Sequence, residues 1–149
     1  MDWAKRHQPR VVILAVYWFS YPGYQGIEKT ILALKAAGVE KVIVVGPVPE
    51  FRVDQPKLVV RAINGNNIPE RLRTPFYESL MNIDRTLQDI AKRNGAIFVS
   101  PLSLLCNGDE CLVAEGGKAE GLMAWDTSNL TSFGSIFVVD HLFAMHLGK

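Results

Sequence analysis

The sequence predicts an α/β domain in which a parallel sheet carries helices on both faces. Three observations predict it. The unbroken apolar run Val11 to Trp18, rich in β-branched and aromatic residues, reads as a strand covered on both faces, as parallel strands are, and Lys41 to Gly46 and Ala96 to Val99 read as two more buried strands. Segments of helical period lie between those runs. No internal repeat, low-complexity tract or linker interrupts the chain, so residues 1–149 are expected to form one domain.

Each element has its own signal. The run VVILAVYW is stopped by Pro22 and Gly23. Ile27, Ile31 and Leu34 then recur at helical spacing with Glu28, Lys29 and Lys35 between them, and Gly38 ends that helix. KVIVVG is closed by Pro47 and Pro49. Phe51 to Thr74 is the least regular stretch, with Pro56, an Asn64-Gly65-Asn66-Asn67 turn cluster and Pro69; within it Leu58 to Ile63 fits either a short strand or an irregular cover. Phe76, Leu80, Ile83, Leu87 and Ile90 alternate spacings of four and three, an amphipathic helix to about Arg93 that Asn94-Gly95 caps. Asp84 and Asp89 are expected on its solvated face. After Pro101 come a cysteine loop and a Gly116-Gly117 turn. Leu122 to Trp125 leads to a polar knot at Asp126, and a last helix is expected from about Ser132 to Leu147. Only three strands are visible where such a sheet usually has about five, so a hydrophobic edge should stand unpaired.

Composition excludes several classes. Apolar residues are 48% and charged residues 21%, a globular balance rather than a disordered one. Lys plus Arg is 16 against 15 Asp plus Glu, a net charge of +1, so nucleic acid is not an expected partner. The basic cluster of Lys5, Arg6, His7 and Arg10 is short and reads as a solvated start. The longest apolar stretch, Val11 to Phe19, falls far short of the ~20 residues of a spanning helix. Met1 is followed at once by Asp2, Trp3 and Ala4, without the apolar core of an export signal. A Walker loop, a His-Glu-x-x-His helix and a Gly-x-Ser-x-Gly elbow do not occur, and Ser-Tyr-Pro-Gly-Tyr-Gln-Gly has the wrong spacing for a dinucleotide turn. No metal and no cofactor are expected. Cys106 and Cys111 lie too far from a histidine for a structural zinc site. A short-loop disulfide would imply an oxidising compartment, in tension with the missing signal.

In open α/β sheets chemistry collects at the carboxyl ends of the strands. Those ends are Trp18-Phe19-Ser20, Gly46 to Glu50 and Ser100-Pro101, and the segment Trp125 to Ser135 is expected to reach the same edge. Trp18, Ser20 and Trp125 are therefore candidate binding residues, although core packing is the simpler reading of both tryptophans. Asp126 and Asn129, three apart before an apolar helix, read on spacing alone as a helix N-cap.

From Arg6 onward the chain resembles the SGNH-hydrolase domain at the carboxyl end of acyltransferase family 3 membrane proteins, bacterial O-acyltransferases of cell-surface polysaccharides. The matching pieces run over nearly the whole chain: Pro9 to Ala15 with Trp18 after it, Val44 to Glu50, Ser100-Pro101 leading to Leu105-Cys106 and Cys111, and Trp125-Asp126 with Leu130 and Gly134 following. The resemblance implies a three-layer, flavodoxin-like SGNH-hydrolase fold and Ser-His-Asp chemistry on acyl esters. It also implies an acyl-polysaccharide substrate and a membrane acyltransferase domain in the parent protein.

In that family the last motif looks like Asp-x-x-His-Leu. Carried over by position, Asp126 is the triad acid and Asn129 occupies the histidine position. An amide has no nitrogen that can take a serine's proton near neutral pH. The histidines offer no obvious substitute: His7 precedes the first strand, His141 and His146 lie inside the last helix, and the adjacent Asp140 and His141 point to different faces. The family's Gly-Asp-Ser nucleophile motif is absent too. The resemblance thus implies the latter part of a larger domain, missing its N-terminal strand or strands and inactive by itself. Its open sheet edge would suit a second copy or a partner chain. An upstream membrane portion would place the domain in the periplasm, where Cys106 and Cys111 read as a disulfide. The alternative is a non-catalytic glycan-binding or assembly module on the same fold.

Overall fold

The alternation of apolar runs and helical periods becomes, in chain order, α1 (Asp2–His7), β1 (Val11–Leu14), α2 (Ile27–Ala36), β2 (Lys41–Val45), α3 (Gln55–Ala62), β3 (Arg71–Arg73), α4 (Tyr77–Arg93), β4 (Ile97–Val99), α5 (Pro101–Leu105), β5 (Cys106–Asn107), β6 (Glu110–Leu112) and α6 (Ser132–Leu142). The structure is a computed structural model and describes residues 2–21 and 23–143. Pro22, His146 and Leu147 lie outside the described residues. The chain divides into two compact units, Met1–Pro47 with Met81–Ser100 and Val48–Leu80 with Pro101–Lys149.

The first unit holds a parallel sheet in the order β1-β2-β4. The central strand is the run KVIVV, and Val42, Ile43 and Val44 have at most 1% of their surface exposed. Alternation sends Val42 and Val44 into one apolar cluster with Ile31 and Leu34 of α2 and Leu87 and Ile90 of α4. Burying a side chain such as Leu87 is worth roughly 1.5–3 kcal/mol, so this cluster dominates the unit's stability. Both helices stop where glycine can turn the chain: Gly38 and Gly95 adopt φ of +91° and +63°.

The edge strand departs from expectation. β1 ends at Leu14 rather than Trp18, and residues 18–20 turn as a 3-10 helix. Nor is it covered on both faces, because Val11 and Ile13 are 37% and 47% exposed. β1 hydrogen-bonds to β2 alone, so its inward residues Val12 and Leu14 pack while the alternate pair faces outward. Among the described residues no strand pairs with its outer side.

The second unit carries an antiparallel sheet in the order β3-β6-β5, which the sequence reading did not foresee. The cysteine loop is a hairpin turning at Gly108-Asp109, and Cys106 and Cys111 sit opposite each other and are disulfide-bonded. Residues 58–62, read as strand or cover, belong instead to α3. Pro56 falls in its first turn, where a missing N–H costs nothing, and Lys57 pairs with Asp54 at 2.6 Å. Phe51, Val59, Cys111 and Val113 form one core cluster, and Leu105, Leu112, Met123 and Val138 another.

Candidate active site

The Asp126 loop is closed at its base by backbone pairing. Trp125 N–H donates to Asn129 O at 3.0 Å and Thr131 N–H to Met123 O at 2.9 Å. Its outer rim is tied to the segment before α3 and to the first residue of that helix, since Phe51 N–H donates to Thr127 O and Gln55 N–H to Asp126 O, both at 3.0 Å. Ser128 is buried within it. The helix that follows has its own cap, because Thr131 Oγ1 accepts from Gly134 N–H at 2.9 Å. Asp126 is therefore not the cap of α6, the role its spacing suggested. Gly134 lets the first turn of α6 lie against the Met123 carbonyl, where a Cβ would collide.

Freed from capping the helix, the Asp126 carboxylate organises the loop. Oδ1 accepts the backbone N–H groups of Ser128 and Asn129 at 2.9 and 2.7 Å, and Oδ2 accepts from Asn129 Nδ2 at 2.6 Å. Burial alone would push this carboxyl up. The Asn129 amide and the two backbone donors outweigh it and hold the group below its ordinary value of 3.8. Asp126 is accordingly a fixed, ionised acceptor with a donor side chain three residues on. A carboxylate only accepts, so the Asn129 amide must present its NH₂ to it.

The other predicted site residues fall as follows. Trp125 stands beside Asp126 in the second unit and is 62% exposed as a residue. Trp18 and Ser20 belong to the first unit. Trp18 is 4% exposed and its indole donates Nε1–H to Val45 O at 2.6 Å, while Ser20 is exposed. The core-packing reading thus suits Trp18 and not Trp125. A cavity of about 420 Å³, walled by Ile13, Leu14, Val16, Trp18, Tyr21 and Ile27, lies at the carboxyl end of β1. Cys106 and Cys111 brace the hairpin. The His7 ring lies tilted against Trp3 with ring centroids 5.0 Å apart, and His141 bonds through Nδ1 to Phe137 O on its own helix at 2.7 Å. Among the described residues no three His, Cys, Asp or Glu side chains gather in a group that could hold a metal ion.

One acid was placed wrongly from sequence. Asp84 is 4% exposed, not solvated, and accepts from Ser100 Oγ at 2.9 Å. Burial pushes its carboxyl up to about 6, against the lowering effects of Ser100 and Arg85. The signal was available: position 84 follows Leu80 by four and precedes Leu87 by three, which puts it on the buried stripe. Glu50 and Gln55 are also buried, each with one side-chain oxygen lacking a partner among the described residues.

The parallel sheet of the first unit, with helices packed on it, is that of an α/β protein, and the second unit carries an acid-bearing loop before its last helix. The chain belongs to the family of SGNH domains fused to AT3 domains, whose model matches residues 1–143. Among solved structures it is similar to the periplasmic domain of a lipopolysaccharide acetyltransferase from Salmonella ser. Paratyphi A, with 24% identity and a TM-score of 0.72. The likeness covers 93% of this chain but 57% of that one, and at such identity it concerns the fold. A search of curated proteins finds no match.

Proposed function

We propose that this chain is the acid-bearing part of an SGNH-type O-acyltransferase or esterase domain acting on acyl esters of cell-surface polysaccharide. The observation that carries this reading is the 2.6 Å hydrogen bond between Asp126 and Asn129, at the two positions where the family resemblance puts the orienting acid and the base. In the parent chemistry a serine attacks the acyl carbon, the base takes the serine's proton, and backbone amides stabilise the oxyanion. The acyl group then passes to a sugar hydroxyl or to water. Asn129 keeps the donor that a base would present to Asp126 and lacks the basic nitrogen on the other side. The sequence also contains no Gly-Asp-Ser. Loss of either the serine or the histidine of a triad costs about 10⁶ in kcat, so the chain alone is inactive.

A membrane acyltransferase domain in the same parent protein, and a periplasmic location, complete the reading. They are supported by the family's fusion to AT3 domains, the periplasmic origin of the structural neighbour, and the Cys106–Cys111 disulfide. The test is hydrolysis of p-nitrophenyl acetate by the purified chain, expected to equal a denatured control. Turnover above that control which Asp126→Ala abolishes would overturn the inactivity, and turnover that survives it would overturn the site.

The exposure of Trp125 favours a second reading, a non-catalytic glycan-binding module in which the indole face stacks on a sugar ring. Tryptophan fluorescence unchanged at millimolar oligosaccharide would eliminate it.

A further inference from the structure

In the first unit the carboxyl ends of β2 and β4 meet at Gly46, a position that has no side chain of its own. Gly46 follows β2, and its N–H donates to Val99 O at 2.8 Å. A Cβ at Gly46 would lie 2.5 Å from Asp84 Oδ1 and 2.9 Å from Phe98 Cζ, so the glycine leaves the space that the carboxyl and the ring fill. Asp84 reaches this corner from α4, and the Ser100 hydroxyl at the end of β4 is its one donor among the described residues. The strands beside it bring apolar groups: Val44 and Val45 from β2, Phe98 and Val99 from β4. The charged residue of those two strands, Lys41, begins β2 at the opposite end, and Arg85 acts on Asp84 from the same helix.

We propose that Asp84 and Ser100 form a proton-operated clasp on the Gly46–Pro47 corner, which the neutral acid seats and the ionised acid loosens. The physical reason is the imbalance at the carboxyl. A buried carboxylate needs several donors to replace its hydration, and this one has a single hydroxyl. Asp126, with three N–H donors, shows what the alternative looks like. Proton loss at Asp84 therefore favours any movement that admits water, and Gly46, which has no side chain to hold it against the carboxyl, is what such a movement would displace. The rise of this carboxyl to about 6 puts the change close to neutrality. The clasp does not depend on the acyl-transfer reading.

The test follows backbone amide resonances of the full chain by two-dimensional NMR from about pH 4.5 to about pH 7.5. The Gly46 and Ser100 amides should move with a common midpoint near 6. Asp84→Asn, which keeps the shape and fixes the neutral state, should abolish that transition. Ser100→Ala removes the donor that favours the ionised form and should move the midpoint upward. A Gly46 resonance without a midpoint near 6, or the same transition in Asp84→Asn, overturns the proposal. Should Asp84→Asn not fold, a midpoint in Ser100→Ala that is unmoved or lowered overturns it as well.

Discussion

Asp84 in the first unit and Asp126 in the second are the same side chain in opposite settings. Asp126 lies in a loop where three N–H donors converge on its two oxygens, and its carboxyl is held below the ordinary value. Asp84 lies under a glycine with one hydroxyl donor, and its carboxyl rises to about 6. The difference shows that donor count against burial, rather than residue type, decides which acid stays charged. Only Asp126 has the character of a permanently ionised group that could orient a base. Asp84 has that of an acid exchanging its proton near neutrality.

The largest expected effect lies on the buried side of this comparison. A carboxyl whose folded pKa exceeds its unfolded one binds its proton more tightly in the folded chain. Its contribution to stability is fully present below about 3.8 and is lost as the pH rises through about 6. A gap of this size corresponds to roughly 3 kcal/mol. Urea unfolding at acid and neutral pH should show a fall of that order, and Asp84→Asn should flatten it. If the slope survives the substitution, the burial account of Asp84 is wrong.

A smaller effect of opposite sign is expected at Asp126. Its pKa is lowered in the fold, so its contribution is present above 3.8 and fades as the pH falls through the folded value. Asp126→Ala leaves two backbone N–H groups and the Asn129 amide without their acceptor. The loss should be about 1 kcal/mol near neutral pH, comparable with removing a helix cap, and should shrink in acid. Unfolding midpoints at two pH values measure it. An equal loss at both would remove the carboxylate charge from the explanation.

The two aspartates also differ in how readable they were. The pairing of Asp126 with Asn129 came from the family resemblance, because spacing of three before an apolar helix reads equally as a helix N-cap, a role that Thr131 fills instead. Asp84 was not legible as a buried acid, because an acid among helical residues reads as surface unless its phase against Leu80 and Leu87 is weighed above its charge. The parallel strands declared themselves through continuous apolar runs, with β2 the clearest. β3, β5 and β6 did not, because they are two or three residues long and rich in charge or turn residues, and pairing across the hairpin holds them. α3 was masked by Pro56, a breaker in a helix interior but acceptable in a first turn. The exposure of Val11 and Ile13 could not be read from β1 itself, since it depends on which neighbours the strand has.

The central functional claim is that residues 126 and 129 hold the geometry of an acid orienting a base. Asn129→His tests it most directly, with the introduced imidazole followed by NMR. The account predicts titration at least about one unit above the ordinary histidine value of ~6.5, because the Asp126 carboxylate would accept its N–H, and a return to ~6.5 when Asp126→Asn is added. An imidazole that titrates at ~6.5 in both backgrounds would contradict the claim.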